Sequence, residues 1–185
     1  MAKRKAYITS NEYSLWCTFH QAYDLVSWHE DDVFAKANIT YQQFLVLWAI
    51  KYHDEFIGGP IIINDLVPLL YRSSNSISQI VNRMEKNGLL KKLRDLSDGR
   101  AVRLIMTDKG KKMFIKTVKP NFKLIKGLLS TFSEKEIETL LLLVEKLKKR
   151  TKMKLRLEQI KYNQDMSDIQ RMSLFLDKLY HDLAP

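Results

Sequence analysis

The chain has 185 residues, a mass of 21.8 kDa, a formal net charge of +10 at pH 7 and a single cysteine. The lone cysteine excludes an internal disulfide framework, and no apolar run approaches the ~20 residues of a membrane-spanning helix. We therefore expect a cytoplasmic protein that does not span a membrane, with either one good core or a core plus an extension.

The N-terminal part of the sequence predicts two helices. Residues 10–37 form one long amphipathic pattern, because Leu15, Phe19 and Val26 fall on a period near 3.6 residues. Thr40 and Gln43 have the spacing of a capping box, which starts a second helix over 41 to about 53. This second helix is apolar almost all round, so we expect it to lie at the centre of the core.

Residues 62–110 predict a helix-turn-helix followed by two strands. Asn64 is a good N-cap for a short helix, and Pro68 prevents that helix from starting much earlier. A polar turn at 72–74 follows, and Ser73 or Ser74 caps a longer helix that Gly88 ends. The buried face of this longer helix is predicted to consist of Ile77, Ile80, Val81 and Met84.

Two basic strands come next, over 89–94 and 101–106, joined by a short polar loop at 95–100. Between residues 62 and 112 there are eleven Lys and Arg against five Asp and Glu, a net +6 of the chain's +10. A basic module of helix, turn, helix and two-stranded wing is typical of DNA recognition. Ile61 to Ile63 are expected to add a short third strand.

Candidate DNA contacts follow from this arrangement. The polar face of the second helix carries short or hydrogen-bonding side chains that suit base edges, and the wing carries cations that suit phosphates. The candidates are Arg72, Ser73, Ser74, Asn75, Ser76, Ser78, Gln79, Asn82, Arg83, Lys92, Arg94, Asp98, Arg100 and Arg103. The alternative interpretation of the serines at 73–76 is that they only cap a helix.

Three wing residues have separate predicted roles. Lys92 is expected to contact phosphate. Arg100 is expected to enter the minor groove, with Asp98 orienting its guanidinium from behind. The alternative for the last two is an ion pair that only braces the turn.

These motifs resemble the MarR family of transcriptional regulators over roughly residues 10–150. The similar segments are 38–44 at the start of the second helix, 80–89 at the end of the recognition helix, and 98–102 with Leu104, Thr107 and Gly110. Gly99 stands where the family often has a second Arg, and the chain after Arg150 is longer than usual. The resemblance implies a winged helix-turn-helix that binds double-stranded DNA.

The C-terminal part predicts further helices with apolar stripes. Thr107 caps a helix to about 131 with a kink at Pro120, and Ser133 with Glu136 forms another capping box. The stripe of the next helix consists of Ile137, Leu140, Leu141, Val144, Leu147 and Thr151. A last amphipathic stretch carries Met166, Ile169, Met172, Leu176, Leu179 and Leu183. The basic run at 146–156 between them is interpreted as a solvated face.

These stripes exceed what a lone winged helix can cover, so a homodimer is expected in which the first helix and the last two interlock. The predicted fold is mainly α with a small antiparallel β wing, a winged helix-turn-helix with a helical dimerisation domain. Its parts are an N-terminal dimerisation helix (1–40), the DNA-binding domain (41–110) and a C-terminal helical dimerisation region (111–185).

The predicted function is a sequence-specific transcriptional regulator, interpreted as a repressor, that binds a palindromic operator and responds to a small aromatic or phenolic effector. One alternative is redox sensing through Cys17, because the family includes organic-hydroperoxide sensors with a reactive cysteine in that region. Another is an architectural or protein-interaction winged helix without operator specificity. No enzyme motif, cofactor site or metal-ligand spacing is recognisable. The aromatic residues Trp16, Trp28, Trp48, Tyr23 and Tyr41 are interpreted as core.

Overall fold

The computed structural model describes residues 8–94, 102–154 and 168–183. The elements follow the order α1 (Ser10–Lys36), α2 (Tyr41–Phe56), α3 (Ile63–Leu70), α4 (Ser74–Lys86), β1 (Leu90–Arg94), β2 (Val102–Met106), α5 (Asp108–Leu129), α6 (Glu134–Lys154) and α7 (Asp168–Leu183). The predicted fold class, mainly α with a two-stranded antiparallel wing, is confirmed.

Capping boxes set the starts of the helices. The Thr40 hydroxyl accepts from the Gln43 amide at 3.2 Å, and the Gln43 side chain accepts from the Thr40 amide at 3.0 Å. Ser133 and Glu136 exchange the same pair of bonds at the start of α6. Both predicted boxes are thus confirmed, and Thr9 forms a third one that starts α1.

Helix α2 lies at the centre of the core, as predicted. Its buried side chains include Phe44, Val46, Leu47, Ala49 and Ile50. The core continues through Phe34 of α1, Leu66 of α3, the buried face of α4, Leu90 and Leu104 of the wing, and Phe114 and Val118 of α5. One continuous core therefore holds the helix-turn-helix against α1 and α5.

The predicted cap of α3 is wrong. Ile62, not Asn64, is the N-cap, and its main-chain amide donates to the Asp65 carboxylate at 2.8 Å. The Asn64 side chain instead accepts a hydrogen bond from the Ser74 hydroxyl at 2.9 Å. An acidic residue at the third position of a helix can satisfy the N-cap amide without a polar cap side chain, which removes the need for Asn64 there.

The wing has the predicted antiparallel pairing, with Leu90 opposite Met106 and Arg94 opposite Val102. The predicted third strand is reduced to one bridge, Ile62 to Arg103, supported by a bond from the Leu104 amide to the Ile61 carbonyl at 2.9 Å. It stays short because α3 begins at once, at Ile63. Residues 95–101, which include Asp98 and Arg100, lie outside the described residues.

Helix α7 packs on α2 of its own chain. Phe175 is 1% exposed, and its ring centroid lies 5.3 Å from that of Trp48 and 5.5 Å from that of Tyr52. An ion pair between Lys178 and Glu55 joins the same two helices. The apolar stripe predicted for this last helix did not include Phe175. Because α7 packs against α2, a smaller part of its surface is available for contact with a second copy of the chain than the stripe implied.

The aromatic residues of α1 are exposed within the single chain. Trp28 is 73% exposed, Tyr23 60% and Trp16 55%, so their interpretation as core is wrong for this chain on its own. Trp48 and Tyr41 are packed against the core, as predicted. All three exposed residues precede Phe34 in α1. Phe34 is buried in the core, whereas the described residues contain no element that covers these three side chains to the same extent.

Candidate nucleic-acid interface

Helix α4 separates an apolar face from a polar one. Ile77, Ile80, Val81 and Met84 are all at most 4% exposed, which confirms the predicted buried face. The polar face is therefore held outward by the packing of the other side. Its exposed residues are Asn75, Gln79, Asn82 and Arg83, and the partly buried Ser76 and Ser78 flank them.

The start of α4 is fixed by two serines with different partners. Ser73 is the N-cap, and its hydroxyl accepts from the Ser76 amide at 3.3 Å. The Ser74 hydroxyl donates to Asn64 of α3, so it ties the two helices together across the turn. Tyr71 ends α3 in the left-handed region at φ 51°, and the exposed Arg72 follows it. Ser73 and Ser74 thus have structural partners besides any contact with DNA.

The wing places its cations on two sides. Cross-strand pairing and alternation put Lys92 on the same side as the buried Leu90 and Leu104, the side that faces α4. Lys92 consequently contacts Asn82 and Glu85 of α4. Arg94 is exposed at the end of β1, and Arg103 is partly buried on β2.

Glu85 is a residue of the site that the sequence reasoning missed. Hydrogen bonding from the Lys92 side chain, with a further bond from the Lys92 amide, lowers the pKa of this carboxyl below its ordinary value. The signal in the sequence was a single Glu on an otherwise neutral and basic helix. Its partner, Lys92, could be identified only once the position of β1 relative to α4 was known.

Electrostatic interactions link Tyr41 of α2 with two residues of α1 and with Arg72, in the turn before α4. Burial, the charge of Glu30 and the proximity of Tyr23 raise the pKa of Tyr41 to about 12, and the nearby Arg72 opposes this shift. Burial and the neighbouring Asp31 raise the pKa of Glu30. Tyr41 keeps its phenolic proton at neutral pH, as a tyrosine of ordinary pKa also would.

Comparison with known proteins identifies this architecture. The family model described as transcriptional regulator SarA/Rot matches residues 31–117. The HTH-type transcriptional regulator MgrA of Staphylococcus aureus is 35% identical over 82 residues, which are 44% of this chain and 52% of that protein. The chain thus spans about half the length of this curated relative.

Two solved structures show the same fold. One is the organohalide-sensing transcriptional regulator RdhR-CbdbA1625 in its 2,4-dichlorophenol-bound form, with TM-score 0.68, 22% identity, and 81% of this chain and 87% of that chain covered. The other is Sco3205, a MarR family transcriptional regulator from Streptomyces coelicolor in complex with DNA, with TM-score 0.68, 18% identity, and 78% and 90% covered.

Over residues 31–117 the chain is similar to transcriptional regulators of the SarA/Rot family, and its fold is that of the solved MarR-family regulator Sco3205. The predicted resemblance is therefore confirmed. The matched segment, 31–117, runs from the end of α1 to the first half of α5, so it contains the complete helix-turn-helix and wing. Helix α4, whose polar face is described above, is the second helix of this helix-turn-helix.

The remaining sequence predictions concern a reactive cysteine, a metal site and a membrane span. Cys17 is a free, partly buried thiol on α1. Within the described ranges, no group of three His, Cys, Asp or Glu side chains is arranged to hold a metal ion. Over the same ranges, every helix is too short or too polar to cross a bilayer.

Proposed function

We propose that this chain is a transcriptional regulator, acting as a repressor, that binds a palindromic operator sequence-specifically as a homodimer. The observation that carries the proposal is the exposed polar face of α4 beside a basic wing. Asn75, Gln79, Asn82 and Arg83 are types that hydrogen-bond base edges in a major groove. The regulator name of MgrA and the DNA complex of Sco3205 support the same activity.

The homodimer rests on apolar side chains that one chain leaves uncovered. Leu15, Trp16 and Phe19 of α1 are 70%, 55% and 43% exposed. On α6, Leu140 and Leu147 are each 45% exposed. Contiguous apolar surface of this kind marks an interaction site. A two-fold dimer would place two copies of α4 about one DNA turn apart, ~34 Å, and so match a palindrome.

Substitution of Gln79 tests the recognition assignment. An operator is first selected from random duplexes, and the affinities for it and for a scrambled duplex are measured at several salt concentrations. Gln79→Ala is expected to lose about 1–3 kcal/mol on the operator, because one base contact disappears, and little on scrambled DNA. Lys86→Ala, on the exposed last residue of α4, is the control and should keep the base preference.

Two outcomes would contradict this assignment. Equal losses on both duplexes for Gln79→Ala would remove α4 from base recognition. Wild-type protein that binds operator and scrambled DNA with the same affinity and salt slope would favour the architectural winged helix instead.

The effector is proposed to be a small phenol bound between α1 and the helix-turn-helix. The support is the cluster of Tyr41, Glu30, Tyr23 and Arg72, which joins the proposed dimer helix to the start of the recognition helix. The related fold of RdhR-CbdbA1625 has been solved with 2,4-dichlorophenol bound. Only a ligand that binds one arrangement of the two recognition helices more tightly can change operator affinity.

This effector proposal can be tested with 2,4-dichlorophenol itself. It is expected to raise the melting temperature of the wild-type protein and to weaken operator binding several-fold, because binding to one state shifts the population. Cyclohexanol at the same concentration controls for nonspecific solvent effects. No change in melting temperature or operator affinity, or equal changes with cyclohexanol, would reject a phenol site. Tyr41→Phe, which removes only the hydroxyl, should reduce the response.

A further inference from the structure

Lys92 forms a three-residue contact between the wing and the recognition helix. Its ammonium group donates to the Asn82 side-chain oxygen at 2.7 Å and pairs with the Glu85 carboxylate at 2.8 Å. Its main-chain amide donates to the other Glu85 oxygen at 3.2 Å. Glu85 therefore holds both the backbone and the side chain of Lys92, and Lys92 in turn reaches the outward face of α4.

The position of Lys92 makes it a poor phosphate contact. It lies on the inner side of β1, in register with the buried Leu104, and its side chain is 26% exposed. Its charge is compensated by Glu85, and two partners occupy two of its three ammonium donors. A phosphate would have only the remaining donor and would be repelled by the adjacent Glu85 carboxylate. The neighbouring Lys91 differs, since it is exposed on the outer side of the same strand.

The contact with Lys92 also determines which group of the Asn82 side-chain amide faces outward. An ammonium group only donates hydrogen bonds, so the amide carbonyl of Asn82, not its NH₂ group, must be turned toward Lys92. The two N–H donors of Asn82 are then left on the exposed side of α4. Asparagine usually recognises adenine with one donor and one acceptor together. That mode also needs the carbonyl, and Lys92 takes one of its two lone pairs and turns the oxygen toward the wing.

We propose that Lys92 is a positioning residue that holds the Asn82 amide with its donors toward DNA, so that Asn82 selects a base edge rich in acceptors. Guanine, with its N7 and O6, fits this requirement, whereas the usual paired contact with adenine also needs the carbonyl that is turned toward Lys92. The proposal rests on the DNA-binding function proposed above. It replaces the expectation that Lys92 contacts phosphate, and it assigns Glu85 the role of keeping Lys92 on α4.

The first test needs no DNA and therefore does not depend on the proposed function. In ¹⁵N-labelled protein, the side-chain amide resonances of Asn82 are identified by their loss in Asn82→Ala. Lys92→Met, which keeps the apolar stem and removes the ammonium, should shift these resonances. Lys91→Met should leave them in place. Unchanged Asn82 resonances in a folded Lys92→Met protein would overturn the contact.

The second test measures base preference. Affinities are determined for the selected operator and for all single base-pair changes in one half-site, with wild type, Asn82→Ala, Lys92→Met and Lys91→Met. Asn82→Ala and Lys92→Met should lose discrimination at the same base pair, on the order of ten-fold, and the double variant should lose no more. Lys92→Arg, which retains a donor, should recover part of the discrimination.

The outcomes separate the two proposals. If Lys92→Met weakens binding to every sequence alike and lowers the salt slope by about 0.9, Lys92 is a phosphate contact and the positioning role is wrong. If the wild-type protein itself shows no preference, the proposed function fails, while the resonance test still decides the contact. Should Lys92→Met not fold, as judged by circular dichroism, Glu85→Gln is used instead. It should free Lys92 and shift the Asn82 resonances in the same way, and unchanged resonances in Glu85→Gln would overturn the contact.

Discussion

Gly110→Ala is expected to destabilise the protein by roughly 3 kcal/mol or more and to displace the wing from α5. Gly110 is buried in the first turn of α5. A Cβ atom at this position would overlap the main-chain carbonyl oxygen of Leu89 and would lie 2.9 Å from Met106 Cγ. The methionine side chain can move away, but the carbonyl belongs to the backbone that leads into β1.

The Leu89 carbonyl cannot move without breaking further bonds. It accepts from the Thr107 amide at 3.1 Å, and the Thr107 hydroxyl lies 3.1 Å from it and 2.6 Å from the Gly88 carbonyl. The same hydroxyl caps α5 by accepting from the Gly110 amide at 3.0 Å. An added methyl group would therefore push apart the junction of α4, β1 and α5.

The measurement is the free energy of unfolding from urea denaturation, with Gly127→Ala as the matched control. Gly127 lies in the same helix, and a Cβ there would have no atom within 4 Å. Alanine should be more favourable than glycine in a helix by up to about 1 kcal/mol, so the control is expected to stabilise. Equal effects of the two substitutions would show that Gly110 is not held by a close contact.

The features that could be predicted from the sequence alone depend on residues that are close together in the chain. The caps at Thr40, Ser133 and Thr107 involve residues three apart, so their spacing is visible in the chain. Gly88 has φ +70°, and its place after an amphipathic run already indicated the end of α4. The buried face of α4 followed from its period alone.

Contacts between distant elements were not accessible in the same way. The sequence predicts Lys92 as a phosphate contact because its charge is visible there, whereas its contact with Glu85 depends on how the wing docks on α4. Phe175 could be placed against Trp48 only once the course of the chain after α6 is known. Asn64 failed as a cap because Asp65, one residue later, already satisfies the N-terminal amide of α3.

The exposed stripe of α6 leads to the prediction with the largest effect on assembly. Ile137, Leu140, Leu141, Val144 and Leu147 share one helical face and are 37–45% exposed in the single chain. Leu142, at 66% exposure, lies on the opposite face. If the stripe is the proposed dimer interface, these two faces must respond differently to the same charge.

Leu140→Glu is expected to convert a dimer into a monomer at micromolar concentration. A two-fold interface contains the substitution twice, and each unpaired buried carboxylate costs several kcal/mol. Operator affinity should fall on the order of 100-fold or more, because a monomer contacts one half-site only. Light scattering measures the mass, and titration of the selected operator measures the affinity.

Leu142→Glu adds the same charge to the same helix and should change neither the mass nor the affinity. Circular dichroism of both variants establishes that α6 is retained. Monomeric Leu142→Glu protein, or Leu140→Glu protein that remains a dimer with full operator affinity, would place the dimer contact away from this stripe. The exposed aromatic residues of α1, with Trp16 at 55% and Phe19 at 43%, would then be the apolar surface to probe next, by Phe19→Glu.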